Sequence, residues 1–97
     1  MSEPTPANAK QEIRIADNLP GGEYSNAMQI IHNKEEFILS FFNIIGPGGR
    51  VVAKVITSPG HLKRMIAALQ DNLKKYEGKF GAVTEAESPK QEIGFQA

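Results

Sequence analysis

The chain has 97 residues, of which 40% are hydrophobic and 23% are charged, and its formal net charge at pH 7 is zero. This is the composition of an ordinary small globular protein, which excludes a fibrous chain and a wholly disordered one. The absence of cysteine excludes a disulfide-stapled fold, a thiolate metal site and a thiol nucleophile.

The two ends of the chain differ in composition from its middle. Residues 1–10 and 84–97 are rich in small, polar and proline residues, which predicts disordered tails around a single domain at residues 11–83. The N-terminus carries an acid and two prolines where a signal peptide needs positive charge and an apolar run. No apolar run is long enough to cross a membrane, so we expect a cytoplasmic protein with no membrane partner.

Strands are predicted ahead of a helix. A short alternating segment at residues 13–15 indicates an edge strand, and residues 24–32, 36–45 and 50–57 are rich in β-branched and aromatic residues. Turn residues separate the last three segments, and loops this short join antiparallel neighbours. The sequence therefore predicts an antiparallel β-meander of three to four strands.

The helix is predicted by apolar residues spaced three and four positions apart. They are Leu62, Met65, Ile66, Leu69, Leu73, Tyr76 and Phe80. Ser58 is expected to cap the helix and Gly81 to end it, with Gly78 as an alternative end. We expect an α+β fold in which this one long amphipathic C-terminal helix packs on one sheet face, so that Leu69→Ala would cost about 2–5 kcal/mol of stability.

The central strand is apolar on both of its faces, whereas one helix covers only one face of a sheet. The other face carries Ile38, Phe42 and Ile44. We predict that a second copy of the chain covers these three residues, which would make the protein a homo-oligomer with a dimer favoured. The alternative is that the N-terminal segment folds back over the same face.

Five short motifs are spread over residues 24–83: Tyr24-Ser25-Asn26, Glu36-Phe37, Ser58-Pro59, Tyr76-Glu77 and Phe80-Gly81. With these motifs the segment resembles a family of short bacterial and archaeal proteins that is catalogued as a domain of unknown function. Gly60, where that family commonly has an acidic residue, and Gly78 depart from its pattern. The resemblance supports the order of the elements and implies no activity.

No motif identifies a catalytic, metal-binding or cofactor-binding site. The glycine-rich run at residues 46–49 lacks the lysine and the helix of a phosphate loop, so we predict a hairpin loop. His32 and His61 lie in different elements without partners at metal-ligand spacing. Glu35 and Glu36 are expected to be neighbours on a strand, with their carboxylates on opposite faces. We therefore expect a non-enzymatic protein without a cofactor, a metal or a small-molecule substrate.

The zero net charge conceals an uneven distribution. Residues 50–81 contain seven basic and two acidic side chains, which gives +5, whereas residues 1–49 sum to −3 and the remainder to −2. Four basic residues lie opposite the apolar stripe of the helix: Lys63, Arg64, Lys74 and Lys75. They predict a basic face, which is typical of an exposed helix and would also suit a nucleic-acid backbone or an acidic protein.

These patterns rank the functional hypotheses. The leading hypothesis is a non-enzymatic homo-oligomeric interaction module, because the central strand is apolar on both faces and no catalytic motif is present. The alternative is sequence-indifferent nucleic-acid binding through the basic face, since the motifs of base-specific readers are missing. A second alternative is a chaperone-like adaptor, because a meander with long helices is similar in arrangement to a bacterial export chaperone.

Overall fold

The computed structural model describes residues 11–87, in which three strands are followed by one helix. The elements are β1 (Ala27–His32), β2 (Phe37–Ile45), β3 (Gly48–Thr57) and α1 (Pro59–Phe80). The tail predicted at residues 1–10 lies outside the described residues, as do residues 88–97 of the predicted C-terminal tail. Residues 84–87 are exposed and form no helix or strand.

The three strands form one antiparallel sheet in the order β1-β2-β3, which confirms the predicted meander. The first pairing is regular, from Ala27 opposite Phe42 to His32 opposite Phe37. The second pairing shifts register between Phe41 and Phe42, where β3 contains one residue more than β2. This β-bulge lies at Val52 and bends one outer strand of the sheet.

Both hairpin loops are built on the turn residues that predicted them. Asn33 Oδ1 accepts hydrogen bonds from the backbone N–H groups of Glu35 at 2.8 Å and Glu36 at 3.0 Å, which is an Asx turn. The two glutamates therefore lie in a turn and not on a strand. In the second loop Gly46 has φ 60°, the sign that the first residue of a type II′ hairpin turn requires, and Pro47 follows it.

The edge strand predicted at residues 13–15 is wrong. Residues 11–26 contain no strand, and Ile13 and Ile15 are 80% and 84% exposed. A three-residue alternation is too weak to form a strand unless a neighbouring strand pairs with it. Within the described residues, no segment other than β2 pairs with β1.

The buried part of the chain is centred on β2, the middle strand. Leu39 and Phe42 are each 4% exposed and are the buried apolar residues of the described chain. Successive strand residues point to opposite faces, so these two side chains lie on opposite sides of the sheet. Residues 11–87 therefore contain one buried apolar side chain on each face and no continuous core.

The start and the end of α1 follow the prediction. Ser58 Oγ accepts a hydrogen bond from the backbone N–H of His61 at 3.2 Å, and Pro59 occupies the first turn. The helix continues through Gly78 and ends at Gly81, which has φ 98° and donates its N–H to the carbonyl oxygen of Glu77 at 2.9 Å. A positive φ at the end of a helix is adopted most easily by glycine.

The expectation that α1 packs along one sheet face is not confirmed. No residue of α1 is buried, and of its apolar stripe only Leu62 and Met65 are half-buried. Leu69 is 68% exposed, so the prediction that it belongs to the core of the single chain is wrong. Helical periodicity identifies an apolar stripe, but it does not identify the surface that covers the stripe.

The cap at Ser58 gives a direct test of how α1 begins. Ser58→Ala removes the acceptor for the His61 N–H, so we expect the free energy of unfolding to fall by about 1 kcal/mol. Ser58→Asp keeps an acceptor oxygen and serves as the control, with stability close to that of the original chain. Urea unfolding followed by circular dichroism measures both variants, and equal midpoints for alanine and serine would contradict the cap.

Candidate interaction surface

The register sorts the strand residues onto two faces of the sheet. We call the first the Leu39 face, and its apolar residues come from all three strands: Met28, Ile30, Phe37, Leu39, Phe41, Ala53 and Val55. Ile30 and Val55 flank Leu39 in one cross-strand row, and each is 42% exposed. This face is therefore a contiguous apolar surface that the described residues cover only in part.

The opposite side, which we call the Phe42 face, contains the three residues predicted to form an oligomer contact. Ile38, Phe42 and Ile44 lie on this one face, where Phe42 is buried and the two isoleucines are half-buried. Ile31 and Ile56 flank Ile38 across the strands and are 55% and 61% exposed. A polar row crosses the middle of the face: Gln29, Ser40 and Lys54. The apolar surface here is interrupted, unlike that of the Leu39 face.

The apolar stripe of α1 is a third exposed surface. Five of its residues have exposed fractions between 46% and 68%: Ile66, Leu69, Leu73, Tyr76 and Phe80. The rings of Tyr76 and Phe80 contact each other with centroids 4.9 Å apart, and Lys79 Nζ lies 5.3 Å from the Phe80 ring centroid. These local contacts order the end of the stripe without covering it.

Ser25 and Asn26 fix the start of β1 against β2. The Asn26 side chain donates from Nδ2 to the carbonyl oxygen of Ile44 and accepts from the Ile44 N–H at Oδ1, both at 2.8 Å. Ser25 Oγ lies 3.0 Å from the carbonyl oxygens of Ala27 and Phe42, which share its single O–H donor. The side-chain amide of Asn26 thus makes the same two hydrogen bonds to the Ile44 backbone that the backbone of a paired strand residue would make. We predicted no role for either side chain, and the missed signal was a serine and an asparagine directly before a strand.

The predicted basic residues are all exposed on α1: Lys63, Arg64, Lys74 and Lys75. The structure does not make them a uniform cationic patch. Lys75 Nζ forms an ion pair with Asp71 Oδ2 at 3.0 Å, one helical turn away, and Arg64 Nη2 lies 3.0 Å from His61 Nδ1. Lys63 and Lys74 form no ion pair with a described residue, and their positions are about 16 Å apart along the helix axis.

Arg50 and His32 are polar residues of the sheet that make local contacts. Within residues 11–87 no cluster of three histidine, aspartate or glutamate side chains is close enough to hold a metal ion. The glycine-rich hairpin borders a shallow depression of about 230 Å³, where the guanidinium of Arg50 is bonded to Glu23 Oε2 at 3.1 Å. His32 packs its ring against Phe37 with centroids 5.2 Å apart.

The geometry defines a small α+β protein: a three-stranded antiparallel meander followed by one helix, with apolar surface exposed on the sheet and on the helix. Residues 1–85 match the model of a family described as a protein of unknown function, DUF3467. The chain therefore belongs to this family, which confirms the resemblance drawn from its motifs. Searches of curated proteins and of solved structures found no match. Within the described residues, no helix has the length and apolar character of a membrane span.

The contact between Asn26 and Ile44 can be tested by truncation. Asn26→Ala removes two hydrogen bonds that hold the start of β1, so we expect a loss of about 1–2 kcal/mol in the free energy of unfolding. Asn18→Ala is the matched control, because Asn18 is also exposed and makes no side-chain hydrogen bond to a described residue. Urea unfolding compares the two, and equal losses would show that Asn26 does not anchor β1.

Proposed function

We propose that this protein is a non-enzymatic interaction module that works as a homo-oligomer, with a dimer as the favoured oligomeric state. The observation that carries this proposal is the distribution of exposed apolar residues. Leu39 and Phe42 are the buried apolar side chains of residues 11–87, while most of the α1 stripe and parts of both sheet faces are open to solvent.

Energetics support an additional covering surface. Complete burial of a leucine or phenylalanine side chain contributes about 1.5–3 kcal/mol, whereas ordering each residue of the backbone costs about 1–2 kcal/mol. The free energy gained by burying two side chains therefore offsets only a small part of the entropy cost of ordering three strands and a helix of 22 residues. Small domains with too little core commonly gain stability by association.

A second copy of the chain fits these surfaces in size. The 22 residues of α1 span about 33 Å, and the 9 residues of β2 span about 30 Å, so a stripe from one copy matches the length of a sheet face on another. A stable interface needs ~800 Å² per partner, to which a face three strands wide and a helical stripe would both contribute. In a two-fold symmetric dimer, the α1 stripe of each copy would pack on the sheet face of the other copy, so the same contact would occur twice.

The proposal also covers catalytic activity and cellular location. We propose no reaction, cofactor or small-molecule ligand, because the candidate surface is lined mainly by apolar side chains. The sequence contains no cysteine and therefore needs no disulfide, which is compatible with a reducing compartment. We therefore keep a bacterial cytoplasmic setting as part of the proposal.

The second candidate function is sequence-indifferent nucleic-acid binding. Lys63 and Lys74 favour it, because both are exposed on the same side of α1 and neither forms an ion pair with a described residue. A dimer would present this pair twice. The chaperone-like alternative would use the same apolar surface as the oligomer, so client binding would compete with association.

Substitution in the middle of the α1 stripe tests the leading proposal. Leu69 is 68% exposed in the single chain, where a polar substitution would change stability by only about 0.5 kcal/mol. In a homo-oligomer that buries the stripe, Leu69→Asp places a charge in an apolar interface, so we expect a monomer in light scattering after size-exclusion chromatography. We also expect a lower melting temperature, since association stabilises the folded chain.

The control for this experiment is the neighbouring position. Gln70→Asp adds the same carboxylate one residue further along α1, on its polar side, and should leave the mass and the melting temperature unchanged. A Leu69→Asp variant with the mass of the original oligomer would show that the stripe is not an interface. A monomeric original chain at all concentrations from micromolar to millimolar would overturn the proposal itself.

Nucleic-acid binding has its own test. Lys63→Glu combined with Lys74→Glu should weaken binding to a labelled oligonucleotide and lower the slope of log affinity against log salt by about 2, one unit for each lost phosphate contact. Lys34→Glu combined with Lys54→Glu makes the same charge change outside the helix. Fluorescence anisotropy measures both pairs, and binding that ignores salt, or an equal effect of the two pairs, would exclude the basic face.

A further inference from the structure

β1 is an edge strand of the described sheet. The sheet order places β2 on one side of β1, and no described residue pairs with it on the other side. Its six residues, Ala-Met-Gln-Ile-Ile-His, include no proline, glycine, lysine, arginine or carboxylate. Native proteins usually protect a free edge with charges, prolines or bulges, so an unprotected edge indicates a strand that pairs with another strand.

The turn after β1 determines which backbone groups face outward. The N–H of Asn33 donates to the carbonyl oxygen of Glu36 at 3.0 Å, so these two residues form a hydrogen-bonded pair. Because such pairs alternate along an antiparallel ladder, Ile31 and Gln29 also direct their N–H and C=O groups to β2. The intervening residues direct theirs outward: Met28, Ile30 and His32.

We propose, on the basis of the homo-oligomer above, that β1 pairs antiparallel with β1 of a second copy, with Ile30 opposite Ile30 across a two-fold axis. In this register Met28 lies opposite His32 of the second copy, and His32 lies opposite its Met28. All the outward N–H and C=O groups then find partners, and the two sheets join into one continuous sheet of six strands.

Side chains support the same register. Ile30 lies on the Leu39 face, in a row with Leu39 and Val55. Placing Ile30 next to its own copy extends this row without interruption across both chains. The result is a continuous apolar surface twice as wide, on which the exposed α1 stripes can pack. On the other face Gln29 lies opposite Ile31 of the second copy, so no like charges meet.

The other edge of the sheet is protected against this kind of pairing. β3 carries Arg50 and Lys54, and the bulge at Val52 interrupts its regular geometry. Both features are typical of edges that do not associate. Self-pairing of β3 near its middle would also bring two copies of Lys54 close together, whereas self-pairing of β1 brings no ionised groups together.

Cysteine cross-linking of the full chain tests the proposed register, because the natural sequence contains no cysteine. In the proposed pair the two Ile30 Cα atoms are about 5.5 Å apart, within the range that a disulfide spans. Ile30→Cys should therefore form a covalent dimer on mild oxidation. The matched control is Val55→Cys, because Val55 lies in the same row on the same face and is equally exposed, at 42%.

The expected result is faster cross-linking of Ile30→Cys than of Val55→Cys, by on the order of tenfold or more, because pairing holds its sulfur atoms at a millimolar effective concentration. Amide hydrogen exchange provides a second readout on the unsubstituted chain. Exchange at Met28, Ile30 and His32 should slow toward that of the inward amides of Gln29 and Ile31 as concentration rises.

The outcomes separate this inference from the proposed function. A dimer in light scattering with equal cross-linking of the two variants, or with freely exchanging amides at Met28, Ile30 and His32, would overturn the β1 pairing and leave the homo-oligomer standing. A monomer at every concentration would overturn both. Protection of the three amides in a monomer would mean that another segment of the same chain covers the edge, which also overturns the pairing.

Discussion

The structure depends on one constraint, which is that the middle strand of a narrow sheet carries apolar side chains toward both faces. Leu39 and Phe42 are buried on opposite sides of β2, and each is surrounded by apolar neighbours that are only partly covered. In a two-layer arrangement of one sheet and one helix, the helix can cover only one face of the sheet, and the other face stays exposed. The exposed apolar surfaces of the sheet and the helix follow from this excess of apolar area over the covering elements.

Polar side chains determine where that apolar surface is placed. Asn26 holds the start of β1 against β2, and Asn33 closes the turn at its other end. At the opposite edge Ser58 starts α1 directly after β3, so the helix begins at a fixed point of the sheet. These contacts are local and exposed, and each contributes modestly to stability. Together they present the edge and the faces of the sheet in one defined arrangement.

The sequence was sufficient for β1 to β3, α1 and their order, because strands, turns and caps are encoded by residues close together in the chain, but the weak alternation at residues 13–15 predicted a strand that does not form. Asn33, Gly46, Ser58 and Gly81 each have the predicted local role. The packing of α1 was not predictable in this way. An apolar stripe such as that around Leu69 has the same periodicity whether it covers its own sheet or another chain.

The candidate surface was only partly predictable for the same reason. Alternation along β2 placed Ile38, Phe42 and Ile44 on one face, and the structure agrees on the face. The contiguous Leu39 face depends on the register between strands, which no single segment encodes. The role of Asn26 depends on a contact with Ile44, 18 positions away in the chain. Long-range pairings of this kind become visible only when the strands are aligned.

The bulge in β3 has a consequence for the strand lengths that this sheet can accept. The register gives Ala53 and Val51 partners in β2, at Phe41 and Phe42, but it gives none to Val52. Removing this one residue would restore a regular ladder while leaving every other cross-strand pair in place. The sheet can therefore lose one residue at this point and keep its pairing, whereas a deletion far from the bulge would turn the side chains between the two points to the wrong face.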